Sequence, residues 1–292
     1  MNKLLQGRIA VVTGAGSGIG RAEAIGMAQQ GAKVVVNDIG TSTDGRGLSH
    51  KPADAVVSQI KNNGNIAVAN YNSVAIEEEA NKIIQAAIDN FGRIDILINN
   101  AGVFRAPNNV ADVTTDDWDA EMKSHLFGTF YCTRRACSFM RKQGYGRIIN
   151  TSSHTGMGWK GSGGYAAAKE GIIGFTRTVA RDMGEFGVNC NAIRPLAAWR
   201  GMKNPTPKDL ILRPEDIASL VVYLASEQAE NINGCIFEVW HGHVGIFKEP
   251  PPVEDVIDKE GSWTTEELAE LIPQTLAKGR SRNLPPTVPT LP

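Results

Sequence analysis

The sequence has little of what marks several large classes of protein. Its 292 residues carry a net charge of only −1, which gives no indication of a surface for nucleic acid or anionic membranes. No stretch approaches the roughly 20 consecutive apolar residues of a membrane span, and the first residues lack the apolar run of a signal peptide. We therefore expect a cytoplasmic protein that binds neither nucleic acid nor a membrane.

Cysteine is also scarce. The four cysteines, Cys132, Cys137, Cys190 and Cys235, show no metal-ligand spacing and are too few for a disulfide scaffold. We expect no metal site and a reducing compartment, and the C-terminal Thr-Leu-Pro is not a peroxisomal address. Hydrophobic residues, by contrast, make up 42% of the chain, which is enough for a sizeable core.

Short β-branched runs alternate with helical patterns along most of the chain. The predicted strands cover residues 9–13, 33–38, 66–69, 94–98, 147–150, 188–193 and 235–240. The predicted helices cover residues 21–30, 52–62, 76–90, 116–141, 163–184 and 214–225. This alternation predicts an α/β fold, a Rossmann-like doubly wound parallel sheet with helices on both faces. We expect one domain over residues 1–246 and a Pro-rich C-terminal extension over residues 247–292.

A Gly-rich turn, Thr13-Gly-Ala-Gly-Ser-Gly-Ile-Gly20, joins the first predicted strand to the first helix. Glycine permits a tight turn and a close approach of backbone to a ligand. The amides and dipole of the following helix would face a pyrophosphate. The turn therefore predicts a dinucleotide site, with these candidate residues: Gly14, Ser17, Gly18, Ile19 and Gly20.

Asp38 ends the second predicted strand, 18 residues beyond Gly20. A carboxylate at this place can accept hydrogen bonds from the adenosine ribose and repel a 2′-phosphate. Ser17 adds no cation that would attract such a phosphate, so we expect NAD rather than NADP. An ordinary turn residue is the alternative interpretation of Asp38, because Asp often precedes a turn.

Ser153, Tyr165 and Lys169 are the candidate catalytic residues. Tyr165 and Lys169 stand four residues apart and share one helix face. An ammonium there should lower the pKa of the phenol, which could then exchange a proton with an alcohol or a carbonyl. Ser153 could stabilise the reacting oxygen, although the adjacent Ser152 leaves that choice open. Together with a dinucleotide, these residues predict hydride transfer.

Taken together, the motifs resemble the short-chain dehydrogenase/reductase family over about residues 5–245. The segments that carry the resemblance are Thr13–Gly20, Asn99–Gly102, Ser153, Tyr165-x-x-x-Lys169 and Arg194-Pro195. It implies an oxidoreductase in which Tyr165 is the general acid/base, Ser153 orients the substrate and Lys169 holds the nicotinamide ribose. It also implies these further cofactor contacts: Asn72, Ser73, Asn100, Ala101, Gly102, Ile193 and Pro195. A homo-oligomer, a tetramer or a dimer, is expected by the same resemblance.

A narrower resemblance is to the 3-hydroxyacyl-CoA dehydrogenase part of peroxisomal multifunctional enzymes. The segments Val34–Gly40, Ala67–Val74 and Gly144–Ser153 carry it, as does His125, where most of the family has Asn. We interpret the His125 side chain as a packed helix residue. A steroid, terpenoid or other alicyclic or aromatic alcohol is the competing substrate class.

Two features depart from the family. The Ser–Tyr spacing is one residue shorter than usual, and Trp199 replaces a Thr that normally contacts the nicotinamide. The segment available for a substrate lid, residues 200–212, is short. A short lid favours an open site that takes a bulky substrate. A non-catalytic dinucleotide-binding regulator is the alternative from another class, but such a protein need not keep Ser153, Tyr165 and Lys169.

Overall fold

Valine and isoleucine runs form the centre of the molecule because branched side chains pack well on both faces of a covered sheet. Burial is complete along β1 (Ile9–Thr13) and β4 (Ile96–Asn99), as a sheet with helices on both faces requires. The structure is a computed structural model, and it describes residues 3–105, 108–198, 212–248 and 250–280.

Within these residues the sheet has eight strands. The other six are β2 (Lys33–Asn37), β3 (Ala67–Asn70), β5 (Gly146–Thr151), β6 (Val188–Pro195), β7 (Ile236–Trp240) and β8 (His243–Ile246). Their order is β3-β2-β1-β4-β5-β6-β7-β8, and every neighbouring pair is parallel except β7 with β8. The doubly wound parallel sheet is thereby confirmed, and its strand order reverses between β1 and β4.

Helices cover both faces of this sheet. They are α1 (Gly18–Gln29), α2 (Lys51–Asn62), α3 (Glu77–Phe91), α4 (Thr115–Met122), α5 (Gly128–Gln143), α6 (Gly163–Gly184) and α7 (Pro214–Leu224). One hydrophobic cluster lies between the sheet and the face that carries α1, α2 and α7. A second lies under α3, α5 and α6. The sheet that carries the site residues is therefore packed against helices on both of its faces.

The structure differs from the predicted elements at two places. The helix predicted over residues 116–141 is divided by a π-helical turn, Lys123–Phe127, which separates α4 from α5. The final strand β8 was not predicted at all, because a four-residue run with Gly245 in it has no strong strand pattern. It pairs antiparallel with β7 across a turn that contains Gly242, whose φ is 68°.

The chain divides into two compact units, a large one that includes the described residues up to Phe247 and a small one that includes those from Lys248 onward. Its one regular helix is α8 (Thr265–Leu271). Thr264 caps this helix in a capping box with Glu267, which satisfies amides that would otherwise lack a partner.

Candidate active site

A cavity of about 740 Å³ opens at the carboxyl ends of the central strands. It lies where the strand order reverses between β1 and β4, the place at which doubly wound sheets bind ligands. Its wall includes the Gly-rich turn, the segments that follow β3 and β4, and the beginning of α6. The sheet therefore brings the glycine motif and Tyr165 to one cavity.

The Gly-rich turn exposes the N-terminus of α1 to this cavity. Ser17 is the N-cap residue, and its side chain makes no capping hydrogen bond. Gly18 has φ 54°, a left-handed conformation that favours glycine, and the space where a Cβ would stand is open. Free helix amides beside open space fit a pyrophosphate, so the residues present suit a dinucleotide.

Asp38 holds the loop after β2 against the Gly-rich turn. Its Oδ2 accepts a hydrogen bond from the amide of Gly16 at 2.8 Å, and its Oδ1 accepts one from the amide of Gly40 at 2.6 Å. A Cβ on Gly16 would stand 2.7 Å from Asp38 Oδ2, so a larger residue would displace the carboxylate. Asp38 also lines the cavity, where it places negative charge beside the turn.

Two segments at strand ends complete the dinucleotide side of the cavity. After β4, the Asn100 side-chain amide donates to the carbonyl oxygens of Thr13 at 2.9 Å and of Gly14 at 3.1 Å. After β3, the amide of Ser73 donates to Glu79 Oε2 at 2.6 Å. These bonds fix the backbone that a cofactor would contact.

Tyr165 and Ser153 are the two predicted catalytic residues whose side chains share the cavity wall. Both side chains line the cavity, and the Ser153 hydroxyl stands near enough to the phenol to lower its pKa. Ser153 Oγ also accepts from the amide of Thr155 at 3.1 Å, which fixes its position. The neighbouring hydroxyl of Ser152 is buried and donates to the carbonyl oxygen of Lys169 at 2.9 Å. The Ser152 hydroxyl is therefore engaged with the backbone of α6, which favours Ser153 as the candidate beside Tyr165, a choice that sequence alone left open.

The electrostatic prediction for Tyr165 is wrong in direction. Burial raises the pKa of the phenol above its usual value, the neighbouring Ser153 hydroxyl opposes that rise, and the charge of Glu121 adds to it. Lys169 is only 3% exposed, and burial lowers the pKa of its ammonium to about 7. Spacing predicts a neighbouring cation, but it cannot show that Lys169 is buried and that Tyr165 is half-buried at the cavity wall.

His125 stands on the π-helical turn against Tyr165. Its ring lies edge-on to the ring of Tyr165 with centroids 5.0 Å apart, and its Nε2 is 2.6 Å from the carbonyl oxygen of Val103. Burial and the charge of Lys169 lower its pKa well below the usual value. A Cβ on Gly102 would stand 1.9 Å from His125 Cε1, which explains the small residue after β4. His125 is a packed residue that also lines the cavity.

Most of the predicted site residues share this cavity. Those that line it are Gly14, Ser17, Gly18, Ile19, Asp38, Asn72, Ser73, Asn100, Ala101, Gly102, Ser153, Tyr165, Lys169 and Pro195. Two other predicted residues, Gly20 and Ile193, pack next to the cavity wall without lining it. Gly20 packs where a Cβ would meet Asn100 Nδ2 at 2.4 Å, and Ile193 is fully buried in the core of β6. Trp199 and the predicted lid residues 200–211 lie outside the described residues.

Some residues of the site carried no sequence signal. Phe104 lies edge-on to Tyr165 with ring centroids 5.5 Å apart, and the carbonyl oxygen of Thr151 accepts from Lys169 Nζ at 2.7 Å. The loop after β2 also reaches the cavity. There the amide of Phe104 donates a hydrogen bond to the carbonyl oxygen of Thr43 at 2.8 Å. These are contacts between distant segments, and no local pattern encodes them. In the described part of the chain, no three acidic, His or Cys side chains cluster as a metal site and no helix could cross a membrane.

The fold and the site define a class of protein, an oxidoreductase built around a dinucleotide cleft. The sequence matches the family model for short chain dehydrogenases over residues 8–209. The chain belongs to the short-chain dehydrogenase family, whose members use a nicotinamide dinucleotide, and the resemblance noted in the sequence is confirmed.

Particular relatives narrow the comparison. The chain is 41% identical to peroxisomal multifunctional enzyme type 2 of Mus musculus, a match that covers 89% of this chain but only 35% of that enzyme. It is 36% identical to hydroxyacyl-CoA dehydrogenase ChsB1 of Mycobacterium tuberculosis, over 90% of this chain and 87% of the relative. The crystal structure of a short chain dehydrogenase from Mycobacterium avium superposes with a TM-score of 0.84 at 40% identity and covers 98% of each chain.

Proposed function

We propose that this chain interconverts a secondary alcohol and a ketone by hydride transfer with NAD, and that Tyr165 is the general acid/base. The observation that carries the proposal is the placement of Tyr165 and Ser153 in the wall of one cavity, with Lys169 on the same helix face behind them. A hydroxyl pair of this kind can hold one substrate oxygen and move its proton.

Each residue of the chain has a separate task in this proposal. In alcohol oxidation, Tyr165 accepts the hydroxyl proton of the substrate while Ser153 donates a hydrogen bond to the same oxygen. Lys169 donates a hydrogen bond to the carbonyl oxygen of Thr151 and would hold the nicotinamide ribose. When bound, NAD would supply the hydride acceptor and a positive ring that favours the phenolate.

The preference for NAD over NADP rests on the Gly-rich turn and Asp38. The Asp38 carboxylate is fixed by the amides of Gly16 and Gly40 at the edge of the cavity. A 2′-phosphate at this place would meet a carboxylate, whereas ribose hydroxyls could donate hydrogen bonds to it. Ser17 offers the phosphate no compensating cation.

Within this reaction class, a 3-hydroxyacyl-CoA is the favoured substrate. One relative is named a hydroxyacyl-CoA dehydrogenase, and another is named a peroxisomal multifunctional enzyme, the group to which the sequence has its narrower resemblance. The substrate side of the cavity has apolar walls from Phe104, Trp159 and Leu196, which suit an acyl chain. A steroid or another alicyclic or aromatic alcohol would also suit apolar walls, so the choice needs a direct test.

The test is a substrate panel with the purified full-length chain. NADH formation is followed at equal concentrations of a 3-hydroxyacyl-CoA, a hydroxysteroid, an alicyclic alcohol and an aromatic secondary alcohol. We expect kcat/KM to be highest for the 3-hydroxyacyl-CoA. Turnover of another alcohol alone would keep the reaction class and reject the substrate. Tight NADH binding without turnover of any alcohol would instead support a dinucleotide-binding regulator.

A further inference from the structure

Glu121 is a buried carboxylate beside the catalytic tyrosine. It lies on α4 and is 6% exposed. Its Oε1 accepts a hydrogen bond from the amide of Arg105 at 3.1 Å, and the amide of Tyr165 stands near enough to its carboxylate to lower the pKa. One side chain therefore joins the segment after β4 to the first turn of α6.

The fit around this carboxylate is close. Gly164 precedes Tyr165, and a Cβ on it would stand 2.7 Å from Glu121 Oε2 and 3.4 Å from a ring atom of Trp118. A buried carboxylate is costly unless its oxygens are hydrogen-bonded, because it gives up its hydration. Two backbone amides supply part of that compensation here, so the site is built to accommodate an acid.

We propose that Glu121 is a positioning residue for Tyr165, which holds the first turn of α6 against the segment after β4 and acts through its charge on the proton that Tyr165 exchanges. This inference rests on the proposed function, because it concerns the catalytic use of Tyr165. It goes beyond the proposed function because it gives Glu121 a role in addition to those of Ser153, Tyr165 and Lys169.

The charged groups around Tyr165 decide whether the loss of Glu121 raises or lowers the pKa of the phenol. Around Tyr165 stand Ser153 after β5, His125 on the π-helical turn, Lys169 on α6 and Glu121 on α4. Of these, Glu121 is the anion, and its charge raises the pKa of the phenol.

The groups that face Glu121 decide whether it carries its charge. They are Arg105, whose charge lowers the pKa of Glu121, and Asp117, whose charge raises it. Burial raises that pKa above the ordinary value and is the largest cause. In the alkaline range where a phenol ionises, the carboxylate is charged. Removal of this anion should therefore make Tyr165 easier to ionise.

The experiment compares wild type with Glu121→Gln and Glu121→Met. Gln keeps the shape and one acceptor, and Met keeps the length in a form suited to a buried site. Asp116→Asn is the matched control, because it removes an exposed acid from the same helix. Two readouts are taken: the pH dependence of kcat for alcohol oxidation, and the titration of Tyr165 followed by NMR of tyrosine labelled with ¹³C at Cζ. Tyr165→Phe assigns its signal among the five tyrosines.

We expect both Glu121 variants to move the midpoint of Tyr165 ionisation downward by about half a pH unit or more, while Asp116→Asn leaves it in place. A merely structural role would lower stability or the plateau kcat and leave the midpoint unchanged in both readouts. That result would overturn the inference. Because the NMR titration needs no substrate, it still decides the point if the panel shows no turnover, and the two failures remain distinguishable. If one variant fails to fold, the other carries the comparison.

Discussion

Lys169 Nζ donates a hydrogen bond to the carbonyl oxygen of Thr151 at 2.7 Å and lies 5.4 Å from the centroid of the Tyr165 ring. The last residue of β5 therefore positions the lysine that stands behind the Tyr165 phenol. Burial acts against the charge of this ammonium and of the tyrosinate alike, since it lowers the pKa of Lys169 and raises that of Tyr165. The site is thus held by geometry in a water-poor environment that favours neutral forms.

Tyr165→Phe should retain NADH binding and lose most turnover. The phenol oxygen carries the proton transfer, and general acid/base catalysis contributes about 10²–10⁴-fold to rates. NADH binding is measured by fluorescence and kcat by NADH formation. Tyr223→Phe is the control, since it removes a phenol from a partly exposed position on α7. A near-normal kcat in Tyr165→Phe would remove this residue from the mechanism.

Asp38→Ala should reduce the preference for NAD. The variant loses a carboxylate that would repel a 2′-phosphate, and it also frees the amides of Gly16 and Gly40. We expect kcat/KM for NAD to fall and that for NADP to fall less or to rise, so the ratio of the two decreases by about tenfold or more. Asp38→Asn, which keeps one acceptor oxygen without the charge, separates the two effects. A wild-type protein that prefers NADP would contradict the ribose role of Asp38.

Much of the fold follows from local patterns. The runs of valine and isoleucine predict seven strands to within one or two residues at most of their ends, because buried parallel strands leave a strong composition signal. The π-helical turn at Lys123–Phe127 has no such signal, since a single inserted residue in a helix barely alters the pattern. The edge strand β8 depends on its pairing with β7, which is a tertiary contact.

The candidate site likewise has some features that sequence motifs predict and others that depend on tertiary contacts. The Gly-rich turn and the Tyr165–Lys169 pair are sequence motifs, and the fold brings them to one cavity as expected. The choice of Ser153 over Ser152, the buried state of Lys169 and the contact of Glu121 with α6 depend on segments that are far apart in sequence. Spacing cannot report how much water a folded site excludes, and that is where the predicted pKa of Tyr165 failed.

Glu23→Gln should stabilise the protein, most of all at alkaline pH. Glu23 lies on α1 with no exposed surface, and neither carboxylate oxygen has a hydrogen-bond partner. Burial raises its pKa from 4.5 to about 8, so between these values the folded protein holds a proton that the unfolded chain releases. The free energy of unfolding of wild type therefore falls as pH rises through this range.

The glutamine variant lacks that dependence. The free energy of unfolding of Glu23→Gln should exceed that of wild type by an amount that grows from about pH 4.5. This difference should level off above pH 8, on the order of 3–5 kcal/mol. Urea unfolding at pH 5.5, 7 and 8.5 measures it, and Glu78→Gln on the exposed face of α3 is the control. Equal stability of wild type and Glu23→Gln at all three values would show that Glu23 does not stay protonated in the fold.

Lys169→Met should stabilise the fold while it weakens NAD binding. Burial lowers the pKa of Lys169 from 10.5 to about 7, so between these values the unfolded chain holds a proton that the folded protein has released. The free energy of unfolding of wild type should therefore rise with pH from about 7 to 10.5, and below pH 7 it carries the full penalty of a buried ammonium. Met carries no such penalty, although it loses the hydrogen bond to Thr151, which is worth about 1 kcal/mol.

The stability gain of Lys169→Met should therefore be largest at pH 6, on the order of 2–4 kcal/mol, and should shrink towards pH 9.5. Urea unfolding at the two pH values measures this gain, and Lys142→Met on the exposed surface of α5 is the control that should show neither effect. NAD affinity, measured by calorimetry, should fall because the ribose contact is lost. A variant that is more stable yet binds NAD normally would leave Lys169 as a buried structural lysine. One that is no more stable at pH 6 than wild type would mean that the ammonium is well compensated by the fold, and the water-poor environment inferred for Tyr165 would lose its main support.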